Sequence, residues 1–341
     1  MAFHVFINNS KDYVLVEEGK SILEAAKNNQ ISLPHSCNNG RCSKCKCKVI
    51  VGSYDMQEYS INALSETEKS DGYILTCKTY PLSDMFIQYD YQERNLSRVT
   101  SKVISIEKIC IDIAVIKMKL YSNKESTFIA GQYFDFIMKN GKKRSYSIAN
   151  SPSRDGFVEF HIRHLPGGLF TDYVFGMEGK CLKEKEILYL EGPLGTCDFQ
   201  VNGEKPVIFL ATGTGFAPIK SMMEEIIYKN INRPIYFYWG VNKPVDLYMN
   251  QLVKSWELIS SNFKYVPVVY DDSFRNIWFG RIGNVYEAVM EDFKDLSSFQ
   301  VYACGSSNMI KKASRDFVLR SNLPKKEFYS DEFISESDLQ S

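Results

Sequence analysis

Three textures of apolar and polar positions follow one another along the chain. At residues 3–8 and 12–17 apolar and polar positions alternate with the period of a half-buried strand, so the two runs read as a hairpin. Ser21-Ile22-Leu23-Glu24 has capping-box spacing and predicts a helix over 24–29. This order fades in Tyr91-Gln92-Glu93-Arg94-Asn95-Leu96-Ser97-Arg98, a polar stretch that reads as a linker. From 100 to about 190 the apolar runs are short and alternating with turn residues between them, 132–138 and 157–163 among them, which suggests a small antiparallel barrel. After Gly203-Glu204-Lys205-Pro206 the runs become continuous: Val207-Ile208-Phe209-Leu210, Ile235-Tyr236-Phe237-Tyr238, Tyr265-Val266-Pro267-Val268-Val269 and Gln300-Val301-Tyr302-Ala303. Buried strands separated by helices are the mark of an open parallel sheet. The expected fold class is therefore multidomain α+β and α/β, with domains at 1–92, 99–202 and 203–341.

A chain of 341 residues is long enough for two or three such domains, each with its own core. Lys plus Arg equals Asp plus Glu at 41 each, which removes any global electrostatic argument for nucleic-acid binding. The start alternates like a strand and lacks the basic stretch and apolar core of a signal peptide, and no apolar run approaches bilayer length. The expectation is a soluble, cytoplasmic protein with no membrane partner.

The chemistry begins with cysteine spacing. Cys37-x4-Cys42-x2-Cys45, followed by Cys77, is the plant-type arrangement of four thiolates around a [2Fe–2S] cluster. Three ligands would come from one loop, in which Gly40 lets the chain turn, and the fourth from the apolar run Ile74-Leu75-Thr76-Cys77. A zinc knuckle or a disulfide pair are the other readings. Zinc sites usually present a second Cys-x2-Cys pair or a Cys/His mixture, and here the second pair is missing while the only nearby histidine, His35, sits inside the loop. Cys47 would point from a strand into the core. The remaining cysteines are scattered and the total of nine is odd, which suits a reducing compartment.

Two further segments suit nucleotide cofactors. In Arg144-Ser145-Tyr146-Ser147 an arginine and a tyrosine alternate on one short strand, where they could offer a flavin a cation for its pyrophosphate and a flat partner for its ring. The plain alternative is an exposed strand with one buried tyrosine. Pro166-Gly167-Gly168-Leu169-Phe170-Thr171 looks like a loop entering a helix at 170–175, where glycines admit backbone amides to a phosphate. His161 and His164, an i, i+3 pair on a strand, face opposite sides and are discounted as a metal site. Leu210-Ala211-Thr212-Gly213-Thr214-Gly215-Phe216-Ala217-Pro218 sits where a buried strand becomes a helix and could take a second pyrophosphate, although a simple strand–helix turn would look the same. After Trp239-Gly240 a single Lys243 stands close to Asp246, with no guanidinium for a 2′-phosphate, so NADH is expected over NADPH.

Taken together, these segments resemble the ferredoxin–NAD(P)+ reductase superfamily over essentially the whole chain, in the arrangement that places a β-grasp ferredoxin first. The resemblance implies a [2Fe–2S] ferredoxin domain, a FAD-binding antiparallel barrel and a parallel-sheet NAD-binding domain. It implies metal ligands Cys37, Cys42, Cys45 and Cys77. Arg144 would hold the flavin pyrophosphate, Tyr146 would stack on the ring and Ser147 would bond near N5, with Gly167, Gly168 and Thr171 completing the flavin site. Gly213, Thr214, Gly215, Pro218, Asp246, Cys304 and Gly305 would receive NADH; Phe333 would shield the flavin, with Asp331 near the ring. The catalytic assignments are thus Tyr146, Ser147, Cys304 and Phe333. Reductases of this arrangement hand electrons to a partner protein. The stretches 144–150, 209–222, 265–269, 289–305 and 330–333 are most similar to those serving a CDP-6-deoxyhexose 3-dehydrase of dideoxysugar synthesis. A ring-hydroxylating dioxygenase or multicomponent monooxygenase is the alternative partner.

Overall fold

The computed structural model describes residues 2–8, 13–29, 31, 33–35, 38–40, 43–61, 63–89, 98–121, 128–153, 156–177, 179–195, 197 and 199–333. The chain divides into two compact units, Met1–Asn95 and Leu96–Ser341. Of the expected linker, Tyr91 to Ser97 lie outside the described residues, and Arg98 already begins a strand.

The first unit is a five-stranded sheet in the order Tyr13–Glu17, Ala2–Ile7, Met85–Gln88, Lys46–Val51, Tyr73–Leu75. The expected hairpin is its antiparallel edge pair, with Val14 and Val16 turned inward. Ala2–Ile7 and Met85–Gln88 run parallel, so the intervening chain must cross over, and helix Ile22–Asn28 lies on that path. The helix starts two residues earlier than expected because Ser21 is its cap: Ser21 Oγ accepts the Glu24 N–H at 3.2 Å. Ile22, Leu23, Ala25 and Ala26 form its buried face, and the two larger side chains contribute roughly 1.5–3 kcal/mol each. A second short helix, Glu66–Ser70, was not anticipated. Ser65 and Glu68 close a complete capping box there, a signal present in the sequence as Ser-x-x-Glu.

In the second unit the alternating runs form an antiparallel sheet in the order Lys143–Ser147, Tyr133–Ile137, Ile187–Leu194, Arg98–Cys110, Ile113–Tyr121, Val158–Arg163. A bridge between Ile148 and Phe160 joins its two edges and closes it into a barrel. Phe134, Phe136 and Phe160 fill the interior.

The remainder is a six-stranded, all-parallel sheet in the order Arg281–Ile282, Phe263–Val269, Ile235–Val241, Val207–Thr212, Gln300–Ser306, Phe328–Phe333. The C-terminal aromatic segment, expected as a tail, is the last of these strands. Strands added after Val207–Thr212 go first to one side and then, from Gln300, to the other. The topological switch therefore lies between Thr212 and Cys304, at the strand ends where open sheets of this kind receive ligands. Among the described residues no helix is long and apolar enough to cross a membrane.

Candidate functional site

Of the four cysteines, Cys37 and Cys42 lie outside the described residues. Cys45 immediately precedes strand Lys46–Val51, Cys77 closely follows Tyr73–Leu75, and the pairing of Lys46 with Leu75 brings them together. Their sulfurs are 3.3 Å apart, both buried, and well beyond disulfide length. Thr76 holds the geometry: its N–H and hydroxyl both donate to the Cys45 carbonyl, at 3.2 and 3.3 Å, and its own carbonyl accepts the Leu23 N–H. In the segment before them Asn38, Gly40 and Ser43 each have positive φ, the conformation of turn residues. At Gly40 a Cβ would stand 2.8 Å from Lys78 Cγ and 3.0 Å from Tyr59 Cβ, so the turn needs glycine for space as well as for φ. Two soft donors converging at 3.3 Å fit a thiolate-held iron–sulfur cluster. Cys47, one pleat further along, is fully buried in the apolar core.

On the barrel, Tyr146 is half-buried, edge-on to Phe136 with ring centroids 5.2 Å apart and 5.4 Å from Phe170. Burial pushes its hydroxyl above the ordinary phenol range, with Arg144 pulling the other way. Phe170 belongs to helix Leu169–Phe175, so the strand and the Gly167–Gly168 loop share one wall. Thr171 closes that loop on itself, its hydroxyl donating to Leu165 O at 2.9 Å and accepting the Leu165 N–H. His164 Nε2 meets Asp172 Oδ1 at 2.8 Å while His161 bonds Glu159 and Tyr248, so the two histidines serve different neighbours.

Ser147 Oγ donates to Asp331 Oδ2 at 2.8 Å, across 184 residues of sequence. Asp331 pairs in register with Cys304, which places the barrel strand beside the switch point of the sheet. Burial pushes the Asp331 carboxyl up to about 6, against the lowering effect of the Ser147 bond. The Gly213–Gly215 turn and the Cys304–Gly305 strand end touch closely: a Cβ on Gly215 would fall 2.1 Å from Cys304 O, and one on Gly305 would fall 2.2 Å from Thr212 Oγ1. That hydroxyl also accepts the Ser306 N–H at 2.9 Å. The Cys304 thiol itself is fully buried, and burial, with Cys197 next, keeps it protonated. Pro218 sits in the first turn of helix Phe216–Tyr228. Phe333 ends the last strand opposite Ser306, half-buried. Asp246 accepts the Lys243 N–H at 3.0 Å and so shapes the turn after the second strand.

Sequence reasoning missed Arg163, paired with Asp112 at 3.0 Å, whose Nη1 would be 2.9 Å from a Cβ on Gly213. It also missed Lys220, Glu224 and Glu225, whose signal was three charges inside a helix otherwise apolar enough to be buried. A groove of about 900 Å³ beside Phe199, Gln300 and Tyr329 opens at the opposite, N-terminal edge of the sheet, with Glu225 on its wall.

Comparison with known proteins matches three family models to the three textures. The 2Fe-2S iron-sulfur cluster binding domain matches residues 5–82, the oxidoreductase FAD-binding domain 100–199 and the oxidoreductase NAD-binding domain 209–315. The CDP-6-deoxy-L-threo-D-glycero-4-hexulose-3-dehydrase reductase of Yersinia pestis is 39% identical, over 94% of this chain and 95% of its own. The reductase component of propane 2-monooxygenase from Gordonia sp. is 32% identical, over 94% of each chain. Among solved structures, the cytochrome P450 reductase GcoB of Amycolatopsis matches with a TM-score of 0.65 and 26% identity, over 97% of this chain and 98% of its own.

Proposed function

The chain belongs to the iron–sulfur flavoprotein reductases of the ferredoxin reductase superfamily, and from that membership we propose that it moves electrons from NADH through FAD and a [2Fe–2S] cluster to a CDP-6-deoxyhexose 3-dehydrase. NADH yields electrons as a pair and an iron–sulfur cluster takes them one at a time; bound FAD supplies the conversion between the two. The work left to the protein is placement, and the observation that carries the reading is the Ser147–Asp331 bond, which sets the strand suited to flavin against the sheet edge suited to nicotinamide.

Arg144 would hold the flavin pyrophosphate by charge, and Tyr146, kept un-ionised by burial, would lie against the ring. Ser147 Oγ donates its hydrogen bond to Asp331 Oδ2, and Asp331, with its carboxyl pushed up to about 6 by burial, can take up a proton in mildly acidic solution. The turn at Gly213, Thr214 and Gly215 would bring backbone amides to the NADH pyrophosphate, with Arg163 beside Gly213 adding charge. Asp246 would favour the ribose diol of NADH over the phosphate of NADPH. Cys37, Cys42, Cys45 and Cys77 would ligate the cluster as thiolates.

The dehydrase is favoured as acceptor by the higher identity of its reductase; the monooxygenase reductase supports the alternative. Anaerobic reconstitution with NADH, a dehydrase and its CDP-sugar, run beside an oxygenase component, tests the choice. Deoxygenation of the sugar is expected, and electron delivery to the oxygenase alone overturns it.

A further inference from the structure

Helix Phe216–Tyr228, which begins at the Gly213–Gly215 turn, has no solvent face over its first three turns. Its inner face packs apolar side chains on the parallel sheet, whereas Lys220, Ser221, Glu224 and Glu225 all face the barrel and are at most 8% exposed. Ser221 Oγ donates to Asn150 O at 2.7 Å, and Glu225 Oε2 accepts the Ser151 hydroxyl at 2.5 Å. Glu224 Oε2 accepts the Ser151 N–H at 3.2 Å. Lys220 stands at the centre: its ammonium is 2.9 Å from Glu159 Oε1, 2.8 Å from Glu224 Oε1 and 3.2 Å from the Ala149 carbonyl. Ala149 is two residues beyond Ser147 on the same run of chain. Glu159 in turn accepts from His161 at 3.0 Å, and the other His161 nitrogen meets the Tyr248 hydroxyl at 2.9 Å, which ties in the segment after the second parallel strand.

A buried ammonium between two buried carboxylates is costly to assemble, and its removal leaves two like charges facing each other in a water-poor seam. One element would then have to move away from the other. The elements concerned are the helix that sets the Gly213–Gly215 turn and the chain that sets Ser147, which are the two positions hydride transfer must hold in register. We propose that Lys220 is a positioning residue for hydride transfer, clamping the nucleotide-turn helix to the flavin strand. It would act through these two elements, by its bonds to Glu159, Glu224 and the Ala149 carbonyl. The inference rests on the function proposed above and names the side chain that maintains its geometry.

The experiment uses the full holoprotein with NADH under anaerobic stopped flow, together with amide hydrogen exchange. Lys220→Met should lower the limiting rate of flavin reduction by about tenfold or more while changing the NADH dissociation constant by less than about threefold, because small misplacements at the reacting atoms cost rate before affinity. Exchange of amides at 147–153 should quicken by about tenfold in the same variant, whatever coenzyme is present. Should Lys220→Met fail to accumulate as folded holoprotein, Glu159→Gln replaces it, which keeps two of the three Lys220 bonds and should show the same pattern at about threefold in rate. A folded variant with the unmodified limiting rate, or slowed reduction with unchanged exchange at 147–153, overturns the inference. An unmodified protein whose flavin NADH does not reduce overturns the parent function, and this inference with it.

Discussion

The cysteine unit and the barrel–sheet unit both prepare a place for a redox group, but they do so over different distances in the chain. Cys45 and Cys77 meet because one antiparallel pairing, Lys46 with Leu75, lies immediately beside them, and the threonine that fixes the geometry is the neighbour of one of the pair. Ser147 and Asp331 meet across 184 residues, and between them stand a barrel, a parallel sheet and a seam of buried charge. The first site is a property of a local register. The second belongs to a contact between two folded halves, so damage far from Ser147 should reach it.

The sharpest test of that difference is Cys77→Ala. It should abolish the cluster, read as lost iron and visible absorbance, while NADH still reduces the flavin at close to the normal rate. Loss of flavin reduction in that variant would mean that the two sites are not separable.

Acid should strike the barrel–sheet seam through Glu159. Burial raises its carboxyl, but the His161 bond and the Lys220 charge outweigh burial and leave it at about 2, below the ordinary 4.5. A depressed carboxylate contributes stability that is complete above the unfolded value and is lost as pH falls from 4.5 towards 2. The contribution is about 3 kcal/mol. Glu159→Gln should therefore flatten the decline in unfolding free energy between those pH values relative to the unmodified protein. Parallel declines would show that Glu159 is not the titrating group.

Arg144→Ala comes next in size. Loss of a charge-assisted bond to a pyrophosphate is worth roughly 1.5–3 kcal/mol, so flavin affinity should fall by about tenfold to a hundredfold, and NADH should no longer reduce the cluster in flavin-depleted samples. Rapid cluster reduction without flavin would reverse the proposed order of flow.

The smallest expected effect is at Asp246. NADH should be used at least about tenfold more efficiently than NADPH, equivalent to roughly 1.4 kcal/mol, and Asp246→Ala should narrow the ratio of specificity constants. Equal constants in the unmodified protein would remove Asp246 from coenzyme choice.

The same contrast of distances explains what could be read before the structure. The hairpin at the N-terminus, the alternating barrel strands and the apolar strands of the sheet are carried by periodicities of two and by continuous apolar runs, which depend only on neighbouring residues. The Ser21 cap and the Ser65–Glu68 box are equally local, and the second was overlooked although its spacing stood in the chain. The C-terminal segment was harder. Phe328–Phe333 becomes a strand because Val301–Ser306 offers it an unpaired edge, a partner that no local pattern announces. Lys220 is harder still: three charges inside an otherwise apolar helix hint at burial, but no local pattern names the partners that make it possible. Its face of the helix is dry because Ala149, Ser151 and Glu159 arrive opposite it.

Residue order alone settled the succession of three textures, the cysteine spacing and the glycine turns, because each depends on steric or hydrogen-bonding rules acting within a few positions. It could not say which carboxylates a buried lysine would find, that Ser147 would donate to Asp331, or that the switch point would lie between Thr212 and Cys304. Those outcomes rest on burial, and a charge or hydroxyl withdrawn from water is stable only where distant segments deliver its partners at hydrogen-bond distance.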